Sequence, residues 1–314
     1  MDLGGISITL LLASLMVAAT PILLAALGEL VVEKSGVLNL GVEGMMIVGA
    51  ICGFAIAVES GSAALGFVAA AIGGALLSMI FAILTQYLLA NQVATGLALT
   101  LFGLGLSSLL GQGYVGIRPP AVEKLNLGAL ADIPFLGPVL FNHDLMVYLT
   151  LLLCASIWAV LRYTRAGLIL RAVGENHDAA HALGYKVVRV RIMAIGFGGA
   201  CAGLGGAYLS LIRVPQWTEG MTAGAGWIAL AIVVFASWRP LRVLLGAYLF
   251  GGVTVLQLNL QAAGFAIPVE VLSMSPYLIT IAVLVVMSAP RKGGRSRAQL
   301  SAPACLGRPF HASQ

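Results

Sequence analysis

The chain has 314 residues, 60% of them hydrophobic and only 9% charged, with a mean hydropathy of +1.01. A water-soluble domain carries roughly a quarter charged residues, so this composition excludes a soluble enzyme or binding module and describes a chain that lives in lipid. The formal charge of +5 comes from Lys and Arg at the ends of apolar stretches, a signal of membrane orientation and not of a nucleic-acid surface.

In chain order the apolar stretches run at 6–27, 43–58, 63–90, 92–113, 143–161, 192–212, 224–238, 243–262 and 275–289. At about 20 residues per crossing they predict an all-α, polytopic transmembrane helical bundle of about nine crossings, within a range of roughly eight to ten. The stretches at 43 and 224 are short, and the one at 63 is long enough to include a surface turn. Met1-Asp2-Leu3 offers no basic region and no cleavage site, so the first helix is expected to be retained. Residues 1–290 read as one transmembrane domain, and 291–314, rich in Gly, Ser, Pro and Arg, as a mobile tail.

Orientation follows from the basic residues. With the N-terminus outside, the cytoplasmic side receives Lys34, Arg162, Arg171, Lys186, Arg191 and Arg239 among others, and the external side keeps only Arg118, Lys124 and Arg213. The C-terminus is then cytoplasmic. The prolines between 114 and 142 shape a long external loop, and 162–191 forms the longest internal connection.

Away from their ends the apolar stretches contain no Asp, Glu, Lys, Arg or His, which argues against a proton relay and for energy supplied by a partner. Gly28 to Ser35 nearly matches a phosphate-binding loop, but Glu33 replaces the second glycine and would repel phosphate. The run from Ser35 to Gly44 carries Gly36, Gly41 and Gly44 with Asn39, so a broken or re-entrant segment is expected near 35–44. Such a segment either lines a wet cavity or is a turn whose glycines permit close packing. Asn39, Glu43, Asn91, Gln92 and Thr95 are candidates for the path of an uncharged, hydroxyl-rich solute.

Between Gly174 and Gly184, Asn176 or Asp178 can cap a short helix, Ala179 and Ala180 favour it, and Gly184 stops it. His177 and His181 lie four apart, but with no third ligand no metal site is expected. Cys52, Cys154, Cys201 and Cys305 show no metal or redox spacing, and the small residues from Gly196 to Gly206 point to close helix packing. Neither HExxH nor GxSxG occurs, so no catalytic residue and no cofactor is assigned.

The run Lys34-Ser35-Gly36-Val37-Leu38-Asn39-Leu40-Gly41-Val42-Glu43-Gly44-Met45-Met46 resembles the signature after the first crossing in ABC permeases of the branched-chain amino acid, ribose and nucleoside superfamily. Its wording is similar to the subgroup for nucleosides and simple sugars that works with basic-membrane-protein-type lipoproteins. Arg171 to Gly184 resembles the cytoplasmic loop that engages the ATPase in these permeases, with His177 where the family more often has Pro. The resemblance covers about 6–290. It implies a permease subunit of an ATP-driven importer in a bacterial cytoplasmic membrane, with Gly174, Glu175, Asn176, Asp178, Ala179, Ala180 and Gly184 in an ATPase-coupling loop. The implied partners are ABC ATPase subunits, a second permease that is a paralogue, and an extracytoplasmic substrate-binding lipoprotein. The competing class is an ion-coupled secondary transporter acting without an ATPase.

Overall fold

The computed structural model describes residues 2–3, 6–125, 128, 133–134, 136–262, 274, 278, 281–282, 285 and 302–311. Apart from a two-residue antiparallel pairing of Asp2–Leu3 with Ile6–Ser7, regular structure among the described residues is helical. The first helix, α1, spans Ile8–Lys34 and so continues past residue 27, where the apolar stretch ends. Glu29, Leu30, Glu33 and Lys34 are good helix formers, so the helix continues where the apolar pattern stops. It ends at Gly36, whose φ of +87° permits the left-handed turn in which Gly36 N–H donates to Glu33 O and Val37 N–H to Val32 O.

After a non-helical segment at 35–41 come α2 (Val42–Ser60) and α3 (Ala63–Ala82), the latter extended by a π turn at Ile83–Tyr87. Then follow α4 (Gln92–Gly111), the short α5 (Leu136–Leu140), α6 (Leu145–Tyr163), α7 (Arg165–Glu175) and α8 (His177–Ala182). The series closes with α9 (Val187–Tyr208), which runs into a π turn at Leu209–Arg213, α10 (Ala225–Phe235) and α11 (Pro240–Ala262). Seven helices among the described residues are long and apolar enough to cross a membrane. The stretch expected at 224–238 forms only the 11-residue α10, about 16 Å long and too short to cross alone. The stretch at 275–289 lies largely outside the described residues, so the described residues account for seven membrane-length helices and the expected count of about nine is not tested at that stretch.

Helix α9 forms the centre, with α1, α2 and α3 packed around it. The packing is close because a side chain has been omitted at each crossing. A Cβ on Gly203 would stand 2.1 Å from Ala70 O, one on Gly206 1.9 Å from Met46 O, and one on Gly199 2.5 Å from Gly74 O. The small residues of 196–206 therefore seat neighbouring helices of the same chain. The helix begins at Val187 and not at 192, which draws Arg191 into it and buries that side chain completely.

The bundle has two chemically distinct ends. Lys34, Arg162, Arg171, Arg239 and Arg242 gather at one, termed here the basic end. At the other, Tyr114 donates to Glu59, Ser108 to Glu219, and Val115 pairs with Trp217.

Candidate functional site

The re-entrant segment is present and its glycines are sites of backbone contact. From Leu38 the chain climbs beside α4: Leu38 N–H donates to Gln92 Oε1 at 2.8 Å, and Thr100 Oγ1 donates to Leu40 O at 3.1 Å. A Cβ on Gly103 would meet Gly44 Cα at 2.8 Å. Gln92 and Thr100 are eight residues apart on α4, so α2 starts about 12 Å inside the bundle. Asn39 is fully buried, and its Oδ1 accepts from Gly41 N–H at 2.9 Å, holding the turn that precedes α2.

Glu43 ties this turn to a distant part of the chain. Its carboxylate accepts from Thr222 Oγ1 at 2.6 Å, Gly224 N–H at 2.9 Å and Gly226 N–H at 2.7 Å. Glu43 lies in the first turn of α2 and also caps the start of α10, so one buried carboxylate faces the positive ends of two helices. The approach requires Gly226, where a Cβ would lie 2.6 Å from Glu43 N. Of the α4 candidates, Gln92 is buried against the turn, Thr95 is half-buried, and Asn91 is exposed and caps α4 by accepting from Ala94 N–H at 3.0 Å. Gln92 and Asn39 therefore hold the turn, Glu43 joins the start of α2 to α10 deeper in the bundle, and Asn91 stays at the start of α4.

At the basic end, α7 and α8 form a compact elbow. Asn176 closes α7 and opens α8, its Oδ1 accepting from Ala179 N–H at 2.9 Å. Gly184, with φ +87°, ends α8; its N–H donates to His181 O and Tyr185 N–H to Ala180 O. Gly174 lets α7 lie directly on the end of α1, since a Cβ there would stand 2.2 Å from Lys34 O. Glu175, Asp178 and Ala179 are exposed, but Ala180 is buried with Val173, Val187 and Phe310, so it faces this chain and not outward.

Sequence reasoning missed what holds the elbow. Residues 302–311, part of the segment expected to be mobile, are packed against it: Cys305 N–H donates to Gly174 O at 2.9 Å and Gly307 N–H to Gly36 O at 3.1 Å. Phe310 lies edge-on to both His177 and His181 at 5.3 Å. The buried Arg191 guanidinium donates to Ser35 O and Arg308 O and lies 3.2 Å from His177 Nδ1. It thereby joins the re-entrant turn, the C-terminal segment and α8. Burial first and the Arg191 charge second hold His177 below its ordinary pKa, against the opposing Asp178 carboxylate.

Charged groups inside the bundle also escaped the sequence analysis. Glu29 and Glu33 are buried near the end of α1, and Glu33 accepts from Trp238 Nε1. Glu29, Glu33 and Arg191 lie outside the apolar stretches, which hold no ionisable group away from their ends, and they enter the bundle because α1 and α9 extend beyond those stretches. Asp144 is similarly buried, capping α6 at Val147 N–H and accepting from Tyr208 OH at 2.7 Å. No group of three or more metal-ligating side chains occurs among the described residues.

A profile of the branched-chain amino acid transport system / permease component family matches residues 11–287. The chain belongs to that family. It is a multi-pass membrane protein and a permease subunit of the ABC-transporter class. The permease is 41% identical to TsgC13 of Haloferax volcanii, provisionally named a glucose ABC transporter permease, over 85% of this chain and 88% of that one. It is 33% identical to the guanosine ABC transporter permease NupQ of Bacillus subtilis, over 88% of this chain and 91% of that one. A second guanosine permease of the same organism, NupP, is 26% identical over 86% of this chain and 79% of that one. Each of these relatives is named as a permease of an ABC transporter, not as an ion-coupled carrier.

Proposed function

We propose that this permease imports a small polar solute, a nucleoside or simple sugar, across a bacterial cytoplasmic membrane, and that α8 is its contact with an ABC ATPase. The nucleoside and glucose relatives support the solute class, and the NupQ and NupP pair supports a paralogous second permease. An extracytoplasmic lipoprotein delivering the solute completes the assembly. The re-entrant segment borders the path, Asn39 and Glu43 holding its shape while Asn91, Gln92 and Thr95 on α4 adjoin it.

The observation that carries the coupling assignment is the two-sided character of α8. Its inner face is packed on the chain through His177 and Ala180, while Asp178, Ala179, Ala182 and Leu183 are exposed, Leu183 by 76%. An apolar side chain held out on a capped, braced helix suits a groove on another protein. Ala179→Trp and Leu183→Asp should therefore reduce ATPase binding and solute-stimulated ATP hydrolysis in the reconstituted complex, overfilling or charging a contact worth about 1 to 3 kcal/mol. Ala180→Trp should instead destabilise the permease itself. Unaltered binding and stimulation in both outward variants would make α8 a mere connector.

A further inference from the structure

The basic end carries a cavity that the elbow enters only through Arg171 of α7. Its volume is about 570 Å³, and five cationic side chains line it: Lys34, Arg162, Arg171, Arg239 and Arg242. They come from the ends of α1 and α6, the middle of α7 and the start of α11, brought together by the fold. Among the described residues no carboxylate lies within salt-bridge distance of any of them; Glu175 of α7 acts on Lys34 from further off, and Glu33 on α1 is engaged by Trp238. Like charges gathered in one concavity repel unless an anion sits among them.

The depth of the cavity narrows the choice of anion. Lys34 is the last residue of α1, Arg162 lies in the last turn of α6 and Arg239 immediately precedes α11, all three being membrane-length helices. The cavity therefore lies at the level of lipid phosphates. Trp158 lines it, with the Arg162 guanidinium 6.0 Å from its ring centre, and aromatic side chains favour that level too. A groove of about 270 Å³, lined by apolar residues apart from Ser156, begins at Leu161, which also lines the basic cavity, and continues along Val31, Leu153, Ile157 and Phe197. A second apolar groove, of about 310 Å³, shares Val31, Val160, Leu170 and Phe197 with the first. An acidic protein surface would match the cations but would leave these grooves unfilled.

We propose that this composite site binds one anionic diacyl phospholipid, with its phosphate among the arginines and its acyl chains along the two grooves. The site joins α1, α6, α7, α9 and α11, so the lipid bridges the elbow's α7 to the membrane helices.

The test is fluorescence quenching of the full chain in nanodiscs containing brominated phosphatidylglycerol or brominated phosphatidylcholine, with the Trp158→Phe variant used to isolate the Trp158 signal. The anionic lipid should quench Trp158 at a mole fraction roughly fivefold lower than the zwitterionic one. Arg162→Gln with Arg242→Gln should abolish that preference, and the corresponding lysine pair should retain it. Arg162→Gln alone serves as the test where the double variant is not monodisperse. Millimolar inorganic phosphate or glycerol phosphate should leave quenching unchanged, since neither carries an acyl chain. Equal quenching by the two lipids, a preference that survives the glutamine changes, or relief by soluble phosphate would each overturn the assignment, the last by identifying a site for a free anion.

Discussion

Glu43 shows how one side chain can hold two distant segments in register. It satisfies three donors from the loop that opens α10, and two of these are backbone N–H groups that have no helical partner at a helix start. Glu43→Gln keeps the size but offers one acceptor oxygen and an amide that is itself a donor. At least one buried donor then loses its partner, which costs about 1 to 3 kcal/mol. Thermal unfolding of the purified permease should shift down by several degrees, and Thr222→Val, which removes one of the three donors, should shift it less. An unchanged transition in Glu43→Gln would show that the carboxylate is dispensable. Glu43 and Asn39 were legible as candidates because polar residues among glycines in an apolar run need a reason. Their partners were not legible, since Thr222 and Gly226 lie about 180 residues further along and nothing local marks them.

The elbow of α7 and α8 is the element against which the C-terminal segment packs. His177 faces Asp178 and Arg191, with Arg308 and His311 contributing from the C-terminal segment and His181 across Phe310. Its pKa is lower in the packed state than in the free state, so the packed state binds fewer protons. Packing is then strongest above the free value of about 6.5 and weakens as pH falls from there through the lowered value. The rate of Cys305 alkylation, normalised to a model thiol at each pH and measured with Cys52, Cys154 and Cys201 replaced, should rise on acidification between about pH 7 and 5. Phe310→Ala should raise that rate at every pH, and a rate indifferent to both changes would mean that the segment does not brace α8. The short helix itself was legible from Asn176 and Gly184, which cap it as expected. The inward turn of Ala180 was not, because a six-residue helix with alanines at 179, 180 and 182 gives the sequence no pattern that distinguishes one face from another.

For the whole molecule, the separation of the basic end from the end holding Glu59, Tyr114 and Glu219 supports an orientation in which α7 and α8 face the cytoplasm. In whole cells a membrane-impermeant maleimide should modify Glu219→Cys and spare Asp178→Cys until the membrane is opened, in a background lacking the native cysteines. The opposite pattern would invert the topology. Composition and the apolar stretches by themselves determined that the chain is a helical membrane protein, because the cost of exposing charge and backbone to lipid is paid residue by residue along the chain. The glycines around Asn39 likewise marked the broken segment, because backbone freedom is a local property. Only the tertiary structure decided that Glu29, Glu33 and Arg191 lie inside helices, that residues 302–311 pack on α8, and that five cations from four helices share one cavity. Each of these depends on which surfaces meet across long separations in sequence, and hydropathy records only how apolar a segment is, not what it touches.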